Sequence, residues 1–260
     1  MFNGDFNDDI WDEHQWASHL NEIERKSSRL RKFIIPEHSG DIPRWLKLLQ
    51  ESSDEFDAVD AFIEEELLID EAYFPGEDDE EIDDDDEGEE EWEDYLFDDF
   101  EDDFFLEEDD EYNDFDAGEE WKELSDDFAM SNMGSIDTLY IYNTSRTLAA
   151  TVLQWAETIN PKNITPDFNE FIGNVLKIGA KIAGGYSFGF DRNFLGGNIA
   201  YTKKALYCSN DALMILQRDL KGSSYITQKK YYYFHEQLFT LRNDIGIYIQ
   251  ELREEFHNGI

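Results

Sequence analysis

From Ile199 to Leu220 the apolar and small residues fall at Ile199, Thr202, Leu206, Ser209, Leu213, Leu216 and Leu220. The steps alternate between three and four, which puts all seven on one stripe of an α-helix packed side by side with others. The same spacing recurs at Phe234, Leu238, Leu241, Ile245, Tyr248 and Leu252. Gly222 ends the first of these helices, and Thr227 is placed to cap the second. Upstream, Leu139, Tyr142, Ala149, Val152, Ala156 and Ile159 make a stripe closed by Asn160-Pro161. Phe168, Phe171, Ile172, Val175, Ile178 and Ile182 make another, opened by Thr165-Pro166. Between the second and third helices the run "AGGYSFGF" offers Gly184, Gly185 and Gly189 for the reversal of the chain. Four helices with short links predict an all-α fold whose C-terminal part, residues 128–260, is an up-down-up-down four-helix bundle.

The N-terminal residues 1–76 read as a small helical module. Trp16, Leu20, Ile23, Leu30 and Ile34 share a face over 11–34, and Arg25, Lys26, Arg29, Arg31 and Lys32 gather towards its C-terminal end, where cations suit the helix dipole. A break at "PEHSGDIP" precedes a short helix from Pro43 to Gln50, with Asp41 as its expected cap. Ser53 or Asp54 then caps a third helix carrying Phe56, Val59, Ile63 and Leu67 on one side. Pro75-Gly76 closes the module.

Charge changes the picture most between these two parts. The whole chain of 260 residues carries a formal net charge of −42. Residues 77–127 hold 32 acids and one base, Lys122, whereas residues 128–260 hold 12 acids and 13 bases. The acidity is therefore local, unlike the uniform acidification expected of a salt-adapted protein. Interleaved with the acids are Trp92, Tyr95, Phe97, Phe100, Phe104 and Phe105, followed by further aromatics to Trp121. Dense like charge resists collapse, so a long, largely disordered acidic linker is expected over 77–127. Aromatics on such a string are adhesive points for basic, partly apolar protein surfaces.

Several chemistries find no footing. The single cysteine, Cys208, excludes an internal disulfide and any multi-cysteine metal site. A di-metal bundle needs two Glu-x-x-His motifs, and Glu254 with His257 is one alone. The acids from Asp83 to Glu87 lack the alternation of ligands and glycine of an ordered calcium loop. No phosphate-binding loop, dinucleotide fingerprint or nucleophile elbow occurs. The first residues have neither a basic nor an apolar leader segment, and no apolar run approaches the ~18 residues of a membrane span. A cytoplasmic, non-enzymatic protein with no cofactor and no metal is the expectation.

The segments "KIAGGYSFGFDRN" and "KKALYCSNDALMILQRDLKGSSYITQKKYYYFHEQL" bear a family pattern. Ile182, Ala183 and Gly185 match its first motif, Ser209 and Leu213 its second, and Tyr225, Ile226 and Tyr231 its last turn and helix. Over about 135–256 the chain thereby resembles the bacterial four-helix-bundle family that includes the 23S rRNA intervening-sequence proteins and the accessory variability determinant of diversity-generating retroelements. The pattern is departed from at Lys181, Gly184 and Ala212, which stand where the family has Asn, Glu and Glu. The resemblance implies a non-enzymatic adaptor that assembles as a homopentamer around a channel, with retroelement members binding a reverse transcriptase and nucleic acid.

Two functional expectations follow. In the first, the protein is an oligomeric interaction protein whose acidic segment, through Trp92, Tyr95, Phe97, Phe100, Phe104 and Phe105, binds a basic protein partner or mimics nucleic acid. In the second, it is a nucleic-acid-binding adaptor of a retroelement or RNA-processing complex. A basic rim of Lys177, Lys181, Arg192, Lys203 and Lys204 would then be held in check by the acidic segment. Phosphate binding depends on uncompensated Lys and Arg, so the near-neutral C-terminal part favours the first.

Overall fold

The computed structural model describes residues 10–34, 42–71, 135–160 and 163–258. All regular structure among them is helical. In chain order the helices are α1 (Glu13–Ile34), α2 (Arg44–Glu51), α3 (Glu55–Glu71), α4 (Tyr140–Glu157), α5 (Pro166–Ser187), α6 (Arg192–Ile215) and α7 (Gln228–Asn258). A 3-10 turn at Ile136–Thr138 leads into α4, and α6 runs out through a π-helical turn at Leu216–Leu220. No helix among the described residues is long and apolar enough to cross a membrane.

Local chemistry sets the helix ends. Thr165 Oγ1 accepts from the Phe168 amide at 3.2 Å with Pro166 in the first turn, so α5 begins where its capping residues predict. Thr227 Oγ1 does the same for the Lys230 amide at the start of α7. Asp54 Oδ1 takes the Phe56 and Asp57 amides and starts α3. At α1, Asp12 Oδ1 accepts from the amides of His14 and Gln15 while Gln15 Oε1 accepts back from the Asp12 amide, a reciprocal cap. Gly222, at φ 86°, stops the run beyond α6. Asp41, the expected cap of α2, lies outside the described residues; Pro43 precedes that helix without a side-chain cap.

The predicted stripes point inward. Phe168, Phe171, Ile172 and Ile178 of α5, and Phe234, Leu238, Leu241 and Ile245 of α7, are fully buried. α5 packs on α6, α6 on α7 and α4 on α5, and α7 returns to α4. At one end Trp155 sits 5.4 Å from Phe168 and 5.1 Å from Phe234, centroid to centroid. Trp45 of α2 reaches the same cluster, and its Nε1 donates to Asn169 Oδ1 at 3.0 Å.

Two sequence expectations need correction. The first concerns the N-terminal helices. Trp45, Val59 and Ile63 belong to the same hydrophobic core as α4–α7, α3 lies on α4 and α5, and α1 lies on α6. All described residues fall in one compact unit, so the described N-terminal helices do not stand apart from α4–α7. The physical reason is area: three short helices bury too little apolar surface among themselves to hold together. α3 before the acidic stretch and the buried Ile136 after it are both anchored in this one unit. The acidic stretch is thus an insertion with both flanks fixed, and its own residues lie outside those described.

The second correction concerns the glycines. α5 does not break at Gly184 and Gly185 but continues to Ser187. These glycines are contact points. A Cβ on Gly184 would stand 2.6 Å from the Tyr201 ring, and one on Gly185 would stand 2.7 Å from Thr202 Oγ1 and 3.1 Å from the Asn198 carbonyl. Only Gly189, at φ 81°, serves the reversal. α6 accordingly starts at Arg192, seven residues before its seam begins.

Candidate functional site

The expected partner-binding residues Trp92, Tyr95, Phe97, Phe100, Phe104 and Phe105 lie outside the described residues. The five cations of the expected basic rim are described, and four of them, Lys177, Lys181, Lys203 and Lys204, are buried or half-buried. Lys181 is 5% exposed, with Nζ 5.1 Å from the Tyr201 ring centroid. Lys177 is half-buried beside Cys208, and Arg192 is exposed at the start of α6. Lys203 and Lys204 are covered by α1: Lys203 Nζ lies 3.6 Å from Glu13, and Lys204 Nζ meets Glu24 and the Leu20 carbonyl.

Glu13 ties three helices together. Its two oxygens accept from Nε and Nη2 of Arg253 on α7, both at 2.8 Å, while Lys203 approaches from α6. The bond from Arg253 is the main reason its carboxyl is held below the ordinary value of 4.5. A backbone detail permits this docking. A Cβ on Gly196 would stand 2.5 Å from the Trp11 carbonyl and 2.8 Å from the Trp16 ring, so glycine lets the start of α1 rest on α6. Trp16 then packs edge-on to Phe188 at 5.2 Å.

Glu13→Gln should therefore lower stability by about 1–2 kcal/mol at neutral pH, the range of a charge-assisted bond in a mostly buried setting. The folded carboxyl has the lower pKa, so its contribution is complete above pH 4.5 and is lost as pH falls through the folded value. Urea unfolding of both proteins across pH 3 to 7 checks this: the gap between them should close on the acid side. A gap that stays constant to the acid end would remove the ion-pair explanation.

Cys208 packs against the core, half-buried, and burial pushes its thiol up to about 11. At neutral pH it is protonated and a poor nucleophile. Glu254 and His257 are exposed at the end of α7. Among the described residues no three His, Cys, Asp or Glu side chains gather where an ion would sit.

A groove of about 510 Å³ lies between α7 and the end of α6 with its π-helical turn, lined by Asn210, Leu213, Met214, Gln217, Arg218, Phe239 and Arg242. Met214 and Phe239 are 48% and 49% exposed on its two sides. The His235 ring lies parallel to Phe239 at 6.3 Å, and its Nε2 is 2.9 Å from Gln217 Nε2. Arg242 Nε donates to Asn210 Oδ1 at 2.6 Å and Nη1 to Asn243 Oδ1 at 3.1 Å. The sequence reading passed over this groove. Its only linear trace is that Met214 and Phe239 each follow a seam residue, Leu213 and Leu238, where an exposed polar side chain is expected.

No protein-family model matches the chain, and neither a curated protein nor a solved structure is similar to it.

Proposed function

We propose that the chain is a non-enzymatic, oligomeric adaptor. Its acidic aromatic stretch at 77–127 holds a basic protein partner, in place of the nucleic acid that such a basic surface would otherwise take. The four C-terminal helices serve as an up-down-up-down bundle that carries the stretch. The observation that supports this reading best is the concentration of charge and aromatics in one insertion whose two flanks enter the same core. Like charges of that density disfavour burial within the chain itself and favour a cationic partner. Anchored flanks fix the base from which Trp92, Tyr95, Phe97, Phe100, Phe104 and Phe105 are offered. Several copies in an oligomer would multiply weak contacts into firm capture.

The covering of Lys203 and Lys204 by Glu13 and Glu24 weighs against the alternative of a nucleic-acid adaptor, because phosphates need cations that are not already paired.

The test is native purification at low salt from the source cell, with the complex's mass, protein content and nucleic-acid content read together. It is repeated with all six aromatics replaced by Ser. The expected result is a multimer carrying a basic protein and no nucleic acid, with capture lost in the six-Ser variant and helical content unchanged. Capture that survives the replacement, or RNA or DNA in place of a protein, would overturn the assignment.

A further inference from the structure

We propose that the groove between α6 and α7 is a docking site for an acidic amphipathic peptide segment of a protein partner, with an apolar side chain seated between Met214 and Phe239 and a carboxylate on Arg242. The chemistry of this surface is the opposite of that of the acidic stretch.

Shape and composition select a peptide. Met214 and Phe239 stand on facing helices, are each about half exposed, and flank the buried Leu213. An apolar side chain laid between Met214 and Phe239 removes both from water at once. The groove is open along its length, which suits a segment lying across two helices. Aromatic and arginine side chains around one depression are the composition of interface hot spots.

Charge selects an acidic peptide. Arg242 is half-buried and held by two neutral amides, Asn210 on one side and Asn243 on the other. No described carboxylate pairs with it, so its orientation is set while its charge is left for an incoming anion. A guanidinium fixed in advance loses little freedom when a carboxylate arrives. Arg218 on the opposite wall is already bonded to its own neighbour Asp219, so Arg242 is the cation that the groove lining offers. His235, stacked on Phe239 and within reach of Gln217, holds the Phe239 ring in place.

The experiment measures fluorescence anisotropy of two labelled synthetic peptides titrated with the full-length chain. One carries Leu at helical i, i+3 and i+4 positions flanked by Glu; the other has each Glu replaced by Lys. The acidic peptide should bind saturably and more weakly as salt rises, and the basic one should not bind in the groove. Arg242→Gln should weaken binding on the order of tenfold or more, and Arg242→Lys by less, since charge is kept and the fork is lost. Phe239→Ser and Met214→Ser should each weaken it several-fold, with circular dichroism unchanged because both side chains are half exposed. Arg192→Gln, on an exposed residue outside the groove lining, should leave affinity as it was. Absence of saturable binding, or equal affinity in the wild type and in both Arg242→Gln and Phe239→Ser, would overturn the proposal. So would concentration-dependent self-association that Phe239→Ser abolishes, which would make the groove an interface between copies.

Discussion

Asp60→Ala should lower the stability of the folded chain by about 3–5 kcal/mol, the cost of leaving a buried charge without its partner. Asp60 on α3 and Arg146 on α4 meet through two hydrogen bonds, one of them 2.7 Å from Arg146 Nε to Asp60 Oδ1. Their side chains are only 10% and 16% exposed. Burial alone would lower the Arg146 pKa, but the bonded carboxylate outweighs it and the net shift is upward. The guanidinium also lies over the rings of Tyr142 and Phe56, at 5.6 and 5.8 Å from their centroids. Without Asp60 this cation must stay charged in a place with little access to water. Replacing both partners, as Asp60→Leu with Arg146→Met, removes the two desolvated charges together and should recover most of the loss. Urea unfolding of the three variants decides the matter. A single-variant loss below about 1 kcal/mol would show that water reaches the pair, since that is the range of exposed ion pairs. The pair matters to function because the two residues stand on either side of the acidic insertion, 86 positions apart. It fastens the helix before the insertion to the helix after it, so Asp60→Ala should also speed hydrogen exchange along α3.

Gly185→Val is expected to cost about 3 kcal/mol or more. A Cβ there already falls 2.7 Å from Thr202 Oγ1, 3.1 Å from the Asn198 carbonyl and 3.2 Å from Asn198 Oδ1. These are fixed groups. Asn198 is fully buried, its Nδ2 donates to the Gly189 carbonyl at 3.1 Å, and Thr202 Oγ1 donates to its Oδ1 at 3.2 Å. Valine must therefore push α5 away from α6 or break buried hydrogen bonds. Overpacking costs about 1–3 kcal/mol, and an orphaned buried polar group a similar amount. The better helix propensity of valine returns only a fraction of that. Gly173→Ala and Gly246→Ala supply the contrast, because both glycines sit inside helices with nothing within 4 Å of an added Cβ. Each should raise stability by about 0.5–1 kcal/mol through the unfolded chain's lost freedom. Opposite signs for Gly173→Ala and Gly185→Val, both on α5, read from denaturant midpoints, would establish that α5 and α6 meet through glycine. Equal midpoints for Gly185→Val and wild type would show that the two helices are free to separate.

Helical stripes read well because the 3.6-residue period is a local property, and each of Phe168, Ile178, Leu238 and Ile245 lies inside as its spacing predicts. Caps read well for the same reason: Thr165, Thr227 and Asp54 act on amides two or three residues away. The doublet Gly184-Gly185 misled because glycine suits both a turn and a close approach of two helices, and only the neighbour decides which. Tyr201 and Thr202, a full helix further on, are that neighbour. The cations misled in a similar way. Lys203 and Lys204 look available in sequence, yet their partners Glu13 and Glu24 are about 180 residues away. The groove left almost no trace, since Met214 and Phe239 become neighbours only when α6 and α7 run side by side.

The all-α class, the helical stripes, most of the helix starts and the confinement of acidity to one stretch are legible along the linear chain, because each depends on residues within a few turns or on composition alone. Only long-range packing puts α2 and α3 in the core of the C-terminal helices, lays α1 on α6 so that Glu13 and Glu24 cover Lys203 and Lys204, and leaves Arg242 facing an open groove with no described carboxylate bonded to it. Those outcomes depend on which surfaces meet after long loops are closed, and the pairing is chosen by total apolar burial and charge matching over the whole unit rather than by any local pattern.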